Sequence, residues 1–482
     1  MKKIIIILLL SISFGFFNSC EEFLAEDPKS FAAAENLFNS EKGITQVLHG
    51  VYQAGNRVYR GRYYVMMFGI TSDEIQYRNS NSSRQEMQNF VFTAQNGNLS
   101  RCWGANVYGI SRANMVLDYL PTDFKNQEFI SRIEAEAKFL RAWYYFSQVR
   151  AYGPAPLLTQ YIDAEPFPAN STVSEIYDQI VTDLTDAENK LPKWTEIADA
   201  ERGRATDGAV KSLLAMVYLT RATSEAAKSD DYSKAAAKAK EVIDSQGYGL
   251  WDDYNDAFLP SSENGKEDIF SYQFAADAIN NSIHTDFSPN PDLYGQSGYG
   301  NFYLLDELYD SFEDGDERTA TFLKGEYTPE GSSEVFTTPD NKAFTQKFRD
   351  PDNKNRNNHG TNLPFIRYSN VLLMYAEALN EANSAPSADA FSALNAVRER
   401  ANLDALSGLS KEEFRQAIRD ERYKEFHGEG IRWFDLVRWG ILEERVEAVR
   451  PGVDVKMPMH QYFPIPQWEV DANPNMDQNE GY

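Results

Sequence analysis

The stretch 418–440, IRDERYKEFHGEGIRWFDLVRWG, decides how this chain is read. It crowds carboxylates, arginines, a histidine and large aromatics into a few turns. That is the raw material of an acid–base active site, and equally of a buried ionic core. Helical geometry separates the two. At about 100° per residue, Phe414, Ile418, Glu421 and Glu425 fall within about 60° of one another on a helix over 411–426. Two carboxylates therefore share the apolar stripe and should point inward, where a charge is tolerated only if paired and hydrogen-bonded. Arg398, Arg400, Arg432 and Arg438 are the candidate partners, because a guanidinium grips a carboxylate with two N–H groups. Gly428 and Gly430 break this helix before a second, short one begins at Arg432. The catalytic alternative makes His427 a base, with Glu425 or Glu429 as its acid partner. Buried ion pairs perturb pKa values without doing chemistry, so the expectation is a structural network of Glu421, Glu425, Arg432, Asp435 and Arg438.

The ends and the composition narrow the setting. Lys2 and Lys3 precede an apolar run, Ile4 to Phe17, that is too short to span a bilayer comfortably. Residues 1–19 therefore read as an export signal. Cys20 follows directly, with Glu21 and Glu22 behind it, which is the pattern of a bacterial lipoprotein lipidated at that cysteine; a simple cleaved secretory signal is the alternative. With Cys20 acylated, Cys102 has no disulfide partner. The formal net charge of −25 argues against nucleic acid and against anionic phosphate surfaces. It is compatible with a neutral ligand.

The rest of the chain reads as helices separated by long irregular stretches. Arg132 to Arg150 carries two apolar stripes, one through Ile133, Ala137, Leu140 and Tyr144, the other through Phe139, Trp143 and Phe146. A helix apolar on two faces packs between neighbours. Ser171 to Leu191 starts at an N-cap placed at Ser174, beside Glu175. Two helix pairs follow, 206–222 with 232–245 and 367–383 with 387–403, with small residues such as Ala215 and Ala376 where helices approach closely. These resemble tetratricopeptide units. Between the pairs, 247–364 is rich in Gly, Asn, Asp, Ser and Tyr and reads as ordered loops over a scaffold. The three-proline terminus YFPIPQWEVDANPNMDQNEGY (462–482) reads as an extended strap.

No HExxH, GxSxG or Walker loop is present, and the five histidines are scattered. SFEDGDERT (311–319) lacks the ligand order of a calcium loop, so no metal and no cofactor are expected.

Taken whole, 418–440 resembles the signature block of the SusD/RagB family of outer-membrane nutrient-binding lipoproteins. The resemblance runs through CEEFLAEDP (20–28), WGANVYGISRAN (103–114), FLRAWYYFSQVRAYGPAPL (139–157), GRATDGAVKSLLAMVYL (203–219), LPFIRYSNVLLMYAEALNE (363–381), ALNAVRER (393–400) and the terminal strap, in that order. It implies an all-α body whose tetratricopeptide-like pairs form a scaffold, with few short strands and a loop-rich ligand region. The divisions follow as a leader 1–19, an N-terminal helical region 20–246, an insertion 247–364 and a C-terminal region 365–482. It further implies a surface protein that binds an oligosaccharide, does no chemistry on it, and acts as a lid over a TonB-dependent (SusC-like) transporter.

Sugars are recognised by flat aromatics against C–H faces and by charged or amide groups reading hydroxyls. Residues 73–103 and 294–303 supply that mixture. Carrying the family pattern over points to Asp73, Arg84 and Trp103, with Tyr294 and Tyr299 as stacking platforms. The competing readings are a peptide-binding lid, a lid that binds ligand weakly, and a glycan-degrading enzyme using the acids of 421–435.

Overall fold

The computed structural model describes residues 37–59, 63–162, 164–350, 355 and 358–482. Cys20 and the leader lie outside them. The architecture is all-α, with short two-stranded ladders added to a helical stack.

The N-terminal half comprises α1 (Glu41–Tyr59), α2 (Tyr63–Ile70), the strand β1 (Ile75–Tyr77), α3 (Ser82–Gln88), α4 (Gly97–Tyr119), α5 (Gln127–Tyr152) and α6 (Val173–Ala187). Both stripes of α5 are buried, because the helix lies between α4 and α6. Phe139, Trp143, Tyr144 and Phe146 are each at most 1 % exposed. Burial of such side chains contributes about 1.5–3 kcal/mol apiece. The helix ends at Gly153, whose φ of 68° is easily reached only without a Cβ. The N-cap of α6 is Thr172, not Ser174. Its hydroxyl accepts the Glu175 N–H while the Glu175 carboxylate accepts the Thr172 N–H, a reciprocal arrangement that Ser174 sits too late in the chain to make.

Next come α7 (Asp207–Arg221), capped at Thr206, and α8 (Asp231–Asp244), which pack on each other. The chain then leaves the stack for more than a hundred residues. This stretch holds β2 (Asp268–Tyr272), β3 (Phe302–Leu304), β4 (Phe322–Leu323), β5 (Glu326–Tyr327), β6 (Phe336–Thr337) and β7 (Phe344–Thr345), and β8 (Leu363–Arg367) brings it back. Antiparallel pairing joins β1 to β3, β2 to β8, β4 to β7 and β5 to β6.

Helix α9 (Tyr368–Ala382) packs directly on α8, and α10 (Ala388–Arg400) packs on α9. The insertion therefore interrupts the sequence without interrupting the stack. Its own apolar residues, among them Phe270, Phe302 and Phe348, join the same core as α5 and α9. The end of the chain carries α11 (Lys411–Glu425), α12 (Arg432–Arg438), α13 (Leu442–Val449) and α14 (Gln467–Ala472). The last of these corrects the wholly extended strap. Pro466 sits at its N-terminal boundary, where a missing N–H costs nothing.

Candidate ligand-binding face and the ion cage behind it

The signature stretch folds as a cage. Phe414, Ile418, Glu421 and Glu425 of α11 are all at most 1 % exposed. Glu425 takes an N–H from Arg400 at 2.5 Å and another from Arg367 at 2.9 Å, while Glu421 takes Arg318 at 2.5 Å and Arg398 at 3.2 Å. Glu429 binds Arg367 at 2.8 Å and Lys347 at 2.9 Å. Glu267 binds Arg367 at 2.7 Å and Arg400 at 3.2 Å, and Asp316 closes on Arg318 at 2.8 Å. Five carboxylates face five cations, so the cage is neutral as a whole. Burial opposes the charge of Glu425, but Arg400, Arg367 and Arg318 overcome it and hold this carboxyl well below the usual range. Burial pulls the Lys347 ammonium down to about 8 despite Glu429 beside it.

Two of the expected partners go elsewhere. Arg438 binds Glu377 and Asp435, and Asp435 is also held by Arg422 at 2.8 Å. Arg432 reaches Asp73, donating at 2.7 and 2.8 Å, and Arg445 adds a third bond at 2.8 Å. Asp73 is thus fully enclosed, with both oxygens committed. It is an internal strut, not a surface group, because arginines from the far end of the chain close over it.

His427 has no access to solvent. Its Nδ1 donates to the Lys424 carbonyl at 2.7 Å, and the Phe322 ring lies 4.8 Å away. Burial, with Lys347 nearby, drives its pKa well below the ordinary histidine value. A neutral, enclosed imidazole cannot meet a substrate.

In front of this frame, the β1–β3 ladder brings together the two polar, aromatic stretches singled out in the sequence. Gln76 pairs with Tyr303 and Tyr77 with Phe302. The Arg78 N–H continues the ladder to the Asn301 carbonyl at 3.1 Å, the Asn79 side chain bonds that of Asn301, and Arg78 reaches Asp340 at 3.3 Å. The Arg84 guanidinium stands 5.1 Å from the Tyr77 ring centroid and 5.7 Å from that of Phe302. Among the described residues, Arg84 has no side-chain hydrogen-bond or ion-pair partner.

Tyr294 and Tyr299 flank the same loop, both half-buried. The loop is tied down at Tyr299, whose N–H donates to the Thr285 carbonyl at 2.7 Å, and at Gly300, which donates to Ser288 at 2.7 Å. Arg349 lies 5.7 Å from the Tyr294 ring. Gly298 sits against the Ser288 and Pro289 carbonyls, where any Cβ would collide with backbone.

Trp103 stands apart from this face. It is 1 % exposed, donates its indole N–H to Glu469 at 2.8 Å, and backs an apolar groove of about 430 Å³ with Tyr145, Tyr161 and Phe167. Neither Arg84, Tyr294 nor Tyr299 lines that groove. Sequence reasoning missed Arg78, Asn79, Asn301 and Asp340. The polar run YRNSNSS (77–83) was the available signal, but a three-residue strand is too short to show alternation.

Comparison with known proteins places this architecture. A family profile described as the SusD family matches residues 330–482, and one described as starch-binding, associating with the outer membrane, matches 22–219. SusD-like protein P25 of Formosa agariphila is 28% identical, covering 97% of each chain. A SusD superfamily protein from Parabacteroides distasonis superposes with a TM-score of 0.83 at 28% identity, covering 92% of this chain and 99% of that one. A structure described as a laminarin-binding SusD-like protein superposes with a TM-score of 0.78 at 28% identity, over 91% of this chain and 99% of the other. The profiles, the full-length relatives and the shared helical stack agree, and the chain belongs to the SusD/RagB family.

Proposed function

We propose that this protein captures a neutral oligosaccharide at the outer-membrane surface and hands it to a partner TonB-dependent transporter. The observation that carries the reading is Arg84, which among the described residues has no side-chain acceptor and stands beside the Tyr77 and Phe302 rings, whose pairing joins its stretch to the one carrying Tyr294 and Tyr299. Hydroxyls supply acceptors for such a group, and the tyrosine rings suit the C–H faces of pyranoses. The laminarin named for one structural neighbour and the starch named for one matching profile are both neutral glucans, which agrees with the acidity of this chain. Asp73 and Trp103 take no part in contacting ligand in this reading. The acids of 421–435 serve as frame, and the sugar leaves unaltered. Attachment to the membrane is through a lipid on Cys20 in this reading; among the described residues no helix is long and apolar enough to cross a membrane.

Calorimetry against laminarin, starch-derived oligosaccharides and peptides tests the ligand. Saturable binding of a glucan that falls in Arg84→Ala supports the proposal, whereas saturable binding of peptides alone overturns it. Co-purification with a large β-barrel protein, and loss of membrane attachment in Cys20→Ser, test delivery and anchoring.

A further inference from the structure

A second cavity, of about 410 Å³, lies where the loop after α6 meets the start of α7 and the end of α8. That volume is within the roughly 300–1,000 Å³ typical of small-ligand sites. None of its lining residues belongs to the β1–β3 face.

Its chemistry is specific. The half-buried Trp194 indole forms one wall, with the Tyr248 ring 6.0 Å away and tilted by 46°. The Arg202 guanidinium lies over the indole at 4.4 Å and is not among the residues that line the cavity. Tyr248 is held rigid by a 2.8 Å bond between its hydroxyl and Thr206. Gly208 packs so tightly on the Tyr248 ring that a Cβ there would overlap it. Lys211 stands between Asp207, at 2.9 Å, and Glu241, at 3.4 Å. That ion pair uses Asp207 Oδ2 alone. Asp207 Oδ1 is shielded from solvent, and so from a ligand in the cavity, and has no hydrogen-bond partner among the described residues.

We propose that this cavity is a second saccharide site, taking one or two neutral sugar rings. A pyranose C–H face would lie on the Trp194 indole, one hydroxyl would donate to Asp207 Oδ2 beside Lys211, and Lys211 would donate to another. A flat ring, a carboxylate acceptor and an adjacent cation are what a sugar needs, whereas a phosphate would be repelled by Asp207 and Glu241. The inference rests on the proposed saccharide-binding function.

The test is ¹⁹F NMR of protein labelled with 5-fluorotryptophan, with the Trp194 resonance assigned from Trp194→Phe. Laminari-, malto-, cello- and xylo-oligosaccharides are titrated into wild type and Arg84→Ala. The expected result is a saturable shift of the Trp194 resonance in both proteins, weakened at least about fivefold by Asp207→Asn. A sugar that binds wild type, is lost in Arg84→Ala and never moves Trp194 would overturn this second site and leave the first standing. If no sugar moves Trp194 and none binds in calorimetry, both sites are overturned together.

Discussion

Asp73 and Arg432 are 359 residues apart in the chain and meet through two N–H···O bonds of 2.7 and 2.8 Å. The contact fastens the base of β1 to α12. From the other side, Tyr423 donates its hydroxyl to the Asp73 carbonyl at 2.6 Å, and Arg450 caps the carbonyls of Ile70 and Gln88. One half of the ligand face therefore hangs from the signature segment. Removing one member of a buried pair leaves the other uncompensated, at roughly 3–5 kcal/mol. Arg432→Ala should lower the melting temperature by that equivalent in calorimetry, and an unchanged melt would refute the strut.

Binding and stability should separate by position. Arg84→Ala is expected to weaken glucan binding about tenfold, about 1.4 kcal/mol, while the melting temperature stays at the wild-type value. Glu421→Ala should do the reverse, lowering expression or melting temperature while the protein that survives still binds. Retained stability with lost binding in Glu421→Ala would show that the site is misplaced.

Gly298→Ala forces the loop carrying Tyr294 and Tyr299 to shift, because the added carbon meets the Ser288 and Pro289 carbonyls. Affinity should fall more than stability, since the loop can move without opening the core. Paired calorimetric and melting measurements check the ratio.

Acid should loosen the cage. Asp73, Glu425 and Asp435 are buried, which alone would raise their pKa values, but their arginines hold all three below the usual range. Such groups contribute stability above their unfolded pKa of roughly 4, and that stability is lost as pH falls through the lower folded values. Melting temperatures taken downward from pH 7 should hold to about pH 5 and then drop steeply. A flat profile to pH 3 would contradict this account.

Glu74 has the opposite sign. Burial, with Asp73 beside it, raises its carboxyl to about 8, and its Oε1 lacks a partner among the described residues. The proton it keeps favours the folded state at low pH, and this contribution is lost as pH rises through about 8. Glu74→Gln should therefore melt higher than wild type at pH 9, and the gap should close toward pH 4. Equal gaps at both pH values would rule the titration out.

How much of this could be read from residues alone depended on distance along the chain. Periodicity placed the helices on either side of the insertion, and the inward turn of Glu421 and Glu425 followed from their spacing on α11. Arg398 and Arg400, from the neighbouring helix α10, are among their true partners. Arg432 was assigned to the wrong acid because no local pattern ties position 432 to position 73. Asp73 looked like a ligand group for the same reason: its neighbours in sequence are polar, while those in space are arginines from α12 and α13. Trp103 sits in a helix motif, and helical spacing cannot say whether a tryptophan backs a groove or faces a ligand.

The cage is balanced in charge within each of its two sources. The insertion brings Glu267, Asp316, Arg318 and Lys347, and the C-terminal region brings Glu421, Glu425 and Glu429 against Arg367, Arg398 and Arg400, so each contributor is neutral by itself. The stack is already continuous without the insertion, because α8 meets α9. Together these let 247–364 meet the frame as a charge-balanced unit. A transplant from a relative would need the same four charges in the same places, and the same apolar residues against α5 and α9, to seat itself. One lacking the counterpart of Arg318 would strand Glu421 on Arg398 alone and fail to fold, whatever its loops could bind.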